Sequence, residues 1–213
     1  MALTRVSRAL GLFGVLTAII LIGLLHLIPP SSNVDAVTRT LSEYGLLPDA
    51  WVFNVGVTAL ALGSVAVVVS LVSQEVIRAV SVTSFLVAVW SASLMVIVAF
   101  PKNNWAVGPS MGGTVHRVAS VVAFVALPLA AIIVGRITRS PWPLWLGVVS
   151  LLWFAVILGA VAAQPFTGIR WWLAIPLGVV ERGMLLTEVL AVGSLVLVDR
   201  RSTARQDPVS SVG

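Results

Sequence analysis

The segment WVFNVGVTALALGSVAVVVSLV, residues 51–72, contains 22 consecutive residues without a charged side chain. A helix needs about 20 such residues to cross the hydrocarbon of a bilayer, where every backbone amide must bond within its own segment. The rest of the chain is similar, because 59% of its 213 residues are hydrophobic and 10% are charged, with a mean hydropathy of +1.07. These values exclude an ordinary soluble domain and predict an integral membrane protein.

Five further stretches have the same length and apolar character, and prolines punctuate their ends. We therefore predict an all-α, polytopic membrane protein built as a bundle of six transmembrane helices. The predicted spans are residues 9–28, 51–72, 80–100, 115–135, 144–163 and 173–198. They form a single domain over residues 1–201, because no soluble segment is long enough to fold separately. Residues 202–213 are expected to be a disordered cytoplasmic tail.

The arginines predict the orientation of the spans. They precede the first span, occupy alternate loops and follow the last span, at Arg5, Arg8, Arg78, Arg136, Arg139, Arg200, Arg201 and Arg205. Basic residues near spans favour the cytoplasmic side, so both termini are expected in the cytoplasm, in the inner membrane of a bacterium. The net charge of +5 is thus explained by topology and does not indicate a nucleic-acid partner.

The first outer loop contains a periodic pattern. Apolar residues recur at intervals of three or four, at Val34, Val37, Leu41 and Tyr44. Ser32 or Asn33 is a suitable N-cap, and a glycine at 45 is a suitable terminator. The pattern predicts an amphipathic helix over residues 33–45 that lies on the outer membrane surface.

The last span carries three charged residues in GVVERGMLLTEVLAV, residues 178–192. Glu181 and Glu188 are seven residues apart, so they project from one stripe of a helix. Glu188 falls near the bilayer centre and should face the bundle, where it is paired, hydrated or protonated. Arg182 points about 100° away from Glu181, and its expected partners are Glu43 or Asp35. A structural network, a binding site and a proton path are all consistent with this pattern.

The remaining polar residues are expected to gather on the outer side of the bundle. The candidates for catalysis are Ser42 as nucleophile, His116 as general base, and Glu43 or Glu181 as the group that orients the histidine. The candidates for binding are Tyr44, Arg117, Arg182 and Glu188. His26 and His116 are candidates to ligate a haem iron or, with Glu181, a metal ion. Two histidines are few for such a site, so neither a metal nor a cofactor is predicted.

Several short motifs resemble one membrane protein family. They are LSEYG at 41–45, Trp51, Phe100-Pro101, Gly113, His116-Arg117 and Glu181-Arg182. Together they look like the bacterial and archaeal family known only as domain of unknown function 998, over residues 9–198. The resemblance implies a six-span bundle with no established activity. It groups Ser42, Glu43, His116, Arg117, Glu181 and Arg182 as a shared polar set.

The sequence favours a non-catalytic membrane subunit that binds a lipid or a partner protein through this polar set. The expected partners are membrane lipids, with a membrane-protein partner or a second copy of the chain as further candidates. An enzyme that acts on a lipid or lipid-linked substrate at the outer leaflet is the alternative, and whether the chain is an enzyme stays open. A proton-coupled transporter that uses Glu188 is a further alternative.

Overall fold

The computed structural model describes residues 2–199, which form six α-helices joined by short connections. The helices are α1 (Ala2–Leu25), α2 (Ala50–Ser73), α3 (Val82–Ala99), α4 (Met111–Ile137), α5 (Pro141–Thr167) and α6 (Leu177–Val196). Three short 3-10 helices lie in the connections, at Ser31–Asn33, Leu41–Leu46 and Trp171–Leu173. No β-strand occurs between residues 2 and 199, so the predicted all-α class is confirmed.

Five helices, α1 to α5, are long and apolar enough to cross a membrane. The multi-pass prediction is therefore supported for these five. Helix α6 has 20 residues, and its sequence includes Glu181, Arg182 and Glu188. Length and composition thus do not establish α6 as a sixth crossing. The predicted tail and the arginines at its start lie outside the described residues.

The helix ends differ from the predicted ones by several residues. Helix α1 begins at Ala2 rather than near residue 9, because polar residues at its start do not prevent helical bonding. Helix α5 continues to Thr167, and Pro165 lies inside its last turn instead of ending it. The helix ends at Gly168, whose φ of 68° lies in the left-handed region that glycine adopts without strain.

The six helices pack as a ring in chain order, with α6 returning to α1. Small residues allow the closest approach, between α1 and α2, where a Cβ on Gly14 would lie 2.7 Å from the Cα of Gly63. Helix α3 is held to α2 by a buried hydrogen bond, from Trp90 Nε1 to Ser64 Oγ at 3.1 Å. Among neighbouring helices, α1 and α6 have the least extensive contact.

The ring has two ends with different residues. We call the end that carries the connections 26–49, 100–110 and 168–176 the loop end. The opposite end, the arginine end, carries Arg5, Arg8, Arg78, Arg136 and Arg139. At the arginine end the start of α1 meets the end of α2, since Thr4 and Ser73 share a hydrogen bond of 2.9 Å.

The predicted amphipathic helix over residues 33–45 is wrong. Two 3-10 helices, Ser31–Asn33 and Leu41–Leu46, are separated by turns at 34–40. Asp35 accepts hydrogen bonds from the N–H of Val37 at 2.9 Å and from the Thr38 hydroxyl. Such local side-chain bonds compete with helical bonding, because they satisfy backbone groups in a turn instead.

Candidate functional site

A cavity of about 310 Å³ lies toward the loop end, bordered by α1, α2, α3, α4 and α6. Much of its wall is apolar, with side chains such as Phe53, Leu60 and Leu94. Polar groups from separate segments meet where the cavity approaches the connections. They belong to His26, Ser42, His116, Ser120, Glu181 and Arg182. A mostly apolar cavity with a few convergent polar groups is the usual composition of a small-molecule site.

Glu181 lies in the second turn of α6 and is 9% exposed. Its Oε2 accepts a hydrogen bond from the backbone N–H of Leu41 at 2.7 Å. Leu41 is the first residue of a 3-10 helix, whose first N–H groups have no partner within the helix. That helix has no side-chain cap of its own, so the carboxylate from α6 takes this role.

Arg182, the next residue of α6, binds the same loop through other atoms. Its Nη1 donates to the backbone carbonyls of Ala36 at 3.0 Å and Arg39 at 2.7 Å. Its Nη2 donates to the hydroxyl of Tyr44 at 3.3 Å, and Tyr44 is 1% exposed. Two adjacent residues of α6 therefore hold both ends of residues 36–44.

The prediction that Arg182 pairs with a carboxylate is wrong. The partner does lie in the outer loop, as expected, but the guanidinium contacts carbonyl oxygens and not the carboxylates of Glu43 or Asp35. A backbone carbonyl can replace a carboxylate here because the loop turns two of them towards the same nitrogen.

Gly178 makes the close approach of the loop possible. Its N–H donates to the carbonyl of Val37 at 2.9 Å. A Cβ at this position would lie 2.5 Å from the carbonyl oxygen of Arg39, closer than side-chain atoms approach backbone. A residue with any side chain would therefore push the loop away from α6.

His26 has both ring nitrogens engaged. Nδ1 lies 2.8 Å from the carbonyl of Ile22, and Nε2 accepts from Arg182 Nε at 3.0 Å. Because a carbonyl can only accept, these contacts assign the hydrogen to Nδ1. A metal ion at His26 would displace one of these partners. The ring also meets Tyr44 edge-on, with centroids 5.4 Å apart.

His116 lies in the second turn of α4 and is 6% exposed. Its Nδ1 lies 2.7 Å from the carbonyl of Phe100, at the end of α3. This carbonyl, and not the predicted Glu43 or Glu181, orients the ring. Since Nδ1 carries the hydrogen, Nε2 presents a lone pair. Among residues 2–199, no group of three histidine or acidic side chains is arranged to hold a metal ion.

Glu43 belongs to a separate group beside the cavity. Its carboxylate pairs with Lys102 at 2.7 Å and with Arg39 at 3.2 Å. Both cations also lie over the ring of Trp105, with Lys102 Nζ 4.3 Å from its centroid. Lys102 further donates to the Thr40 hydroxyl at 2.8 Å, which joins the connection after α3 to the first loop.

Glu188 faces the interior of the bundle, as expected, and is 0% exposed. Its Oε1 accepts from the Ser150 hydroxyl of α5 at 3.2 Å. Its Oε2 has no partner among the described residues. Glu188 does not line the cavity, although it shares a helix stripe with Glu181.

The structure brings together some of the predicted site residues and separates others. Ser42, His116, Glu181 and Arg182 line one cavity, whereas Glu43 and Tyr44 support its loop from behind. Arg117 lies on the exposed side of α4 and does not line the cavity. Ser120 was missed, although its position one turn after His116 places it on the same face.

Comparison with known proteins gives a family and no activity. The model of the family described as Protein of unknown function (DUF998) matches residues 11–198. No curated protein and no solved structure matches the chain.

Proposed function

We propose a lipid-binding role for this chain, which belongs to the family described as Protein of unknown function (DUF998). The cavity holds one apolar chain against α1, α2 and α3, while the polar group of that lipid meets α4 and α6. The observation that carries this proposal is an apolar cavity with buried polar side chains gathered near one end of the bundle.

The position of the cavity mouth supports entry from the bilayer. Ile19 and Gly23 of α1 and Leu186 of α6 line the cavity and are also exposed on the surface. The cavity therefore opens between α1 and α6, the neighbouring helices with the least extensive contact. A lipid chain can enter sideways through this opening, without crossing the polar connections.

The size of the cavity favours a single chain. Its volume of about 310 Å³ lies at the small end of the range of about 300–1,000 Å³ for ligand pockets. This volume suits one chain with a small polar group, and a whole two-chain phospholipid is too large for it.

Catalysis on the bound lipid is the alternative, and the contacts favour binding over it. A serine nucleophile needs a base within hydrogen-bond reach. Ser42 Oγ instead donates to Thr40 Oγ1 at 3.1 Å, so its hydrogen is not directed to the free Nε2 of His116. Within residues 2–199, no hydrogen bond joins Ser42 to His116.

A proton path through Glu188 has less support than lipid binding. The side chain is fully buried, and its one described partner is the Ser150 hydroxyl. A relay needs successive groups within reach of one another. Glu181, seven residues earlier, bonds to the loop and faces the cavity instead.

We further propose that α6 crosses the cytoplasmic membrane with the other five helices and that both termini are cytoplasmic. Helix α6 packs against α5, α1, α4 and α2, and Met184 and Val192 are buried among them. The start of α1 lies at the arginine end, together with Arg5, Arg8, Arg78, Arg136 and Arg139. This arrangement fits the expected excess of basic residues on the cytoplasmic side.

Single cysteines test this orientation, because the chain contains none. Val107 at the loop end is 85% exposed, and Val80 at the arginine end is 95% exposed. In intact cells, a membrane-impermeant maleimide should label Val107→Cys and leave Val80→Cys unlabelled until the cells are opened. The reverse pattern would place the loop end in the cytoplasm.

Two glycine variants test lipid binding. Gly23 lines the cavity mouth, and a Cβ there meets no atom within 4 Å, so a side chain can begin at this position and Gly23→Phe is chosen to fill the opening. Gly159 on α5 is equally open and does not line the cavity, so Gly159→Phe is the matched control. The readout is photo-crosslinking of purified protein to hexadecanol and hexadecyl phosphate that carry a diazirine in the chain.

The expected result is crosslinking to peptides of α1, α2 or α6 that line the cavity. Gly23→Phe should reduce it about tenfold, which corresponds to about 1.4 kcal/mol of binding free energy. Gly159→Phe should crosslink like the unmodified chain. Crosslinks that are spread evenly over the lipid-facing surface and unchanged by Gly23→Phe contradict the proposal.

A further inference from the structure

We infer that the cavity selects a lipid alcohol, whose hydroxyl donates a hydrogen bond, over a lipid that carries a phosphate. This inference rests on the proposed lipid-binding function and names the chemical class of its ligand. It depends on which hydrogen-bond donors and acceptors the polar side of the cavity still offers after the contacts within the protein are made.

Arg182, the cation that lines the cavity, has few donors left. A guanidinium has five N–H groups. Nε bonds to His26 Nε2, and Nη1 faces the carbonyls of Ala36, Arg39 and Gly178 at 2.7 to 3.1 Å. Nη2 bonds to Tyr44, so one N–H remains at most. Arg182 therefore cannot offer the two parallel N–H groups with which arginine binds a phosphate.

The two cations of the group beside the cavity are also engaged. Lys102 is 8% exposed at its side chain and pairs with Glu43 at 2.7 Å. Arg39 shares the same carboxylate at 3.2 Å, and both cations lie against Trp105. Neither Lys102 nor Arg39 lines the cavity. No Lys or Arg other than Arg182 lines the cavity among the described residues, so a phosphate inside it would meet only the one remaining N–H of Arg182.

The groups that face the cavity are mostly acceptors. His116 presents a lone pair on Nε2, because its Nδ1 is assigned the hydrogen by the Phe100 carbonyl. Glu181 uses Oε2 for the Leu41 amide, which leaves Oε1 to accept. Ser42 gives its hydroxyl hydrogen to Thr40, and Ser120 gives its own to the backbone carbonyl of His116.

The remaining donors and acceptors predict which lipid head group the cavity prefers. A hydroxyl group donates to one of these acceptors and can accept from the remaining N–H of Arg182. A dianionic phosphate brings only acceptors and negative charge, which would face Glu181 and leave the buried acceptors without a donor. A cationic amine would also donate and would be attracted by Glu181, but it would lie beside the guanidinium of Arg182, whose like charge opposes that attraction.

The test compares three lipids that carry the same single hydrocarbon chain, and it uses the purified protein. Hexadecanol, hexadecyl phosphate and hexadecylamine compete with the diazirine-bearing hexadecanol for crosslinking to the cavity. Hexadecanol should compete about tenfold more strongly than the phosphate, since one lost hydrogen bond is worth about 1.4 kcal/mol. The comparison uses the unmodified chain, so it does not depend on the folding of a variant.

Two variants test whether Glu181 is responsible for the preference for alcohol over phosphate. Glu181→Gln replaces a cavity-facing acceptor with an amide that can also donate, and should lower the preference for alcohol over phosphate severalfold. Glu188→Gln makes the same change in the same helix outside the cavity and should leave the preference unaltered. A phosphate or an amine that competes as well as the alcohol overturns the inference. Absence of any cavity crosslink overturns lipid binding itself, so the two failures are distinguishable.

Discussion

The start of α6 and its middle carry the same acidic residue in different surroundings. Glu181 bonds to a backbone amide 140 residues away in sequence and borders a cavity. Glu188 is more deeply buried, bonds to one serine of α5 and keeps an oxygen without a described partner. The first glutamate organises a loop, whereas we expect that a well-packed apolar side chain can replace the second. Substitutions can separate these two situations.

The largest effect is expected at Arg182, which neighbours Glu181. Arg182→Met keeps the length of the side chain but leaves the carbonyls of Ala36 and Arg39 and the hydroxyl of Tyr44 without their donor. We expect a loss of about 3 kcal/mol in the free energy of unfolding, because several polar groups become unsatisfied together. Thermal unfolding in detergent micelles measures it.

Arg182→Lys is the control for charge. An ammonium cannot reproduce the planar fork that spans the loop and His26, so this variant should recover only part of the loss. Full stability in Arg182→Lys would show that the positive charge matters and the set of directed bonds does not.

The same substitution should destabilise the protein at Glu181 and should not destabilise it at Glu188. Glu181→Met leaves the amide of Leu41 without an acceptor and should destabilise the protein by about 1–3 kcal/mol. Glu188→Met removes a buried polar group whose serine partner can bond to its own helix, so it should be neutral or stabilise by about 1–2 kcal/mol. Thermal unfolding of both variants in the same detergent compares them directly.

The outcome for Glu188 distinguishes a tolerated polar group from a required one. A loss of several kcal/mol in Glu188→Met would mean that the carboxyl group has a partner beyond Ser150. A stabilised variant that no longer supports cell growth or transport would instead assign Glu188 a functional role, since functional sites commonly reduce stability.

The helices could be predicted from the sequence because the residues that determine each helix lie within it. Each apolar stretch predicts a helix by its own length, and five of the helices are long and apolar enough to cross a membrane. The end of α5 lies beyond its predicted position, because the helix accommodates Pro165 in its last turn. The convergence of His116 and Glu181 on one cavity also followed from alternating helix directions.

The loop was mispredicted because its partners lie far away in sequence. Its apolar residues have helical spacing, yet its backbone groups bond to Arg182, Glu181 and Gly178. A periodic pattern cannot reveal a competing partner that comes from α6. The carbonyl of Phe100 and the hydroxyl of Ser150 were missed for a related reason, because a backbone carbonyl leaves no mark in a sequence and serines are common.

A smaller effect is expected from two glycines of α6. Gly178→Ala places a Cβ 2.5 Å from the carbonyl oxygen of Arg39 and should cost about 1–2 kcal/mol, because the loop must shift. Gly193 lies in the same helix, and its nearest atom is a Val15 methyl at 3.9 Å. Gly193→Ala should therefore be neutral or gain up to about 1 kcal/mol from helix propensity. Equal unfolding temperatures for the two variants would contradict close packing of the loop on α6.

The smallest effect concerns the internal bonds of the loop. Hydrogen bonds from the Thr38 hydroxyl and the Val37 amide hold the pKa of Asp35 below its ordinary value of 3.8. A lowered pKa means that the ionised form of Asp35 stabilises this turn. Its stabilising contribution is present above about pH 4 and is lost as the pH falls through the folded-state pKa. The amide resonance of Val37 in micelles should report the change, and Asp35→Asn should abolish it. If the resonance titrates unchanged in Asp35→Asn, a group other than Asp35 controls the turn.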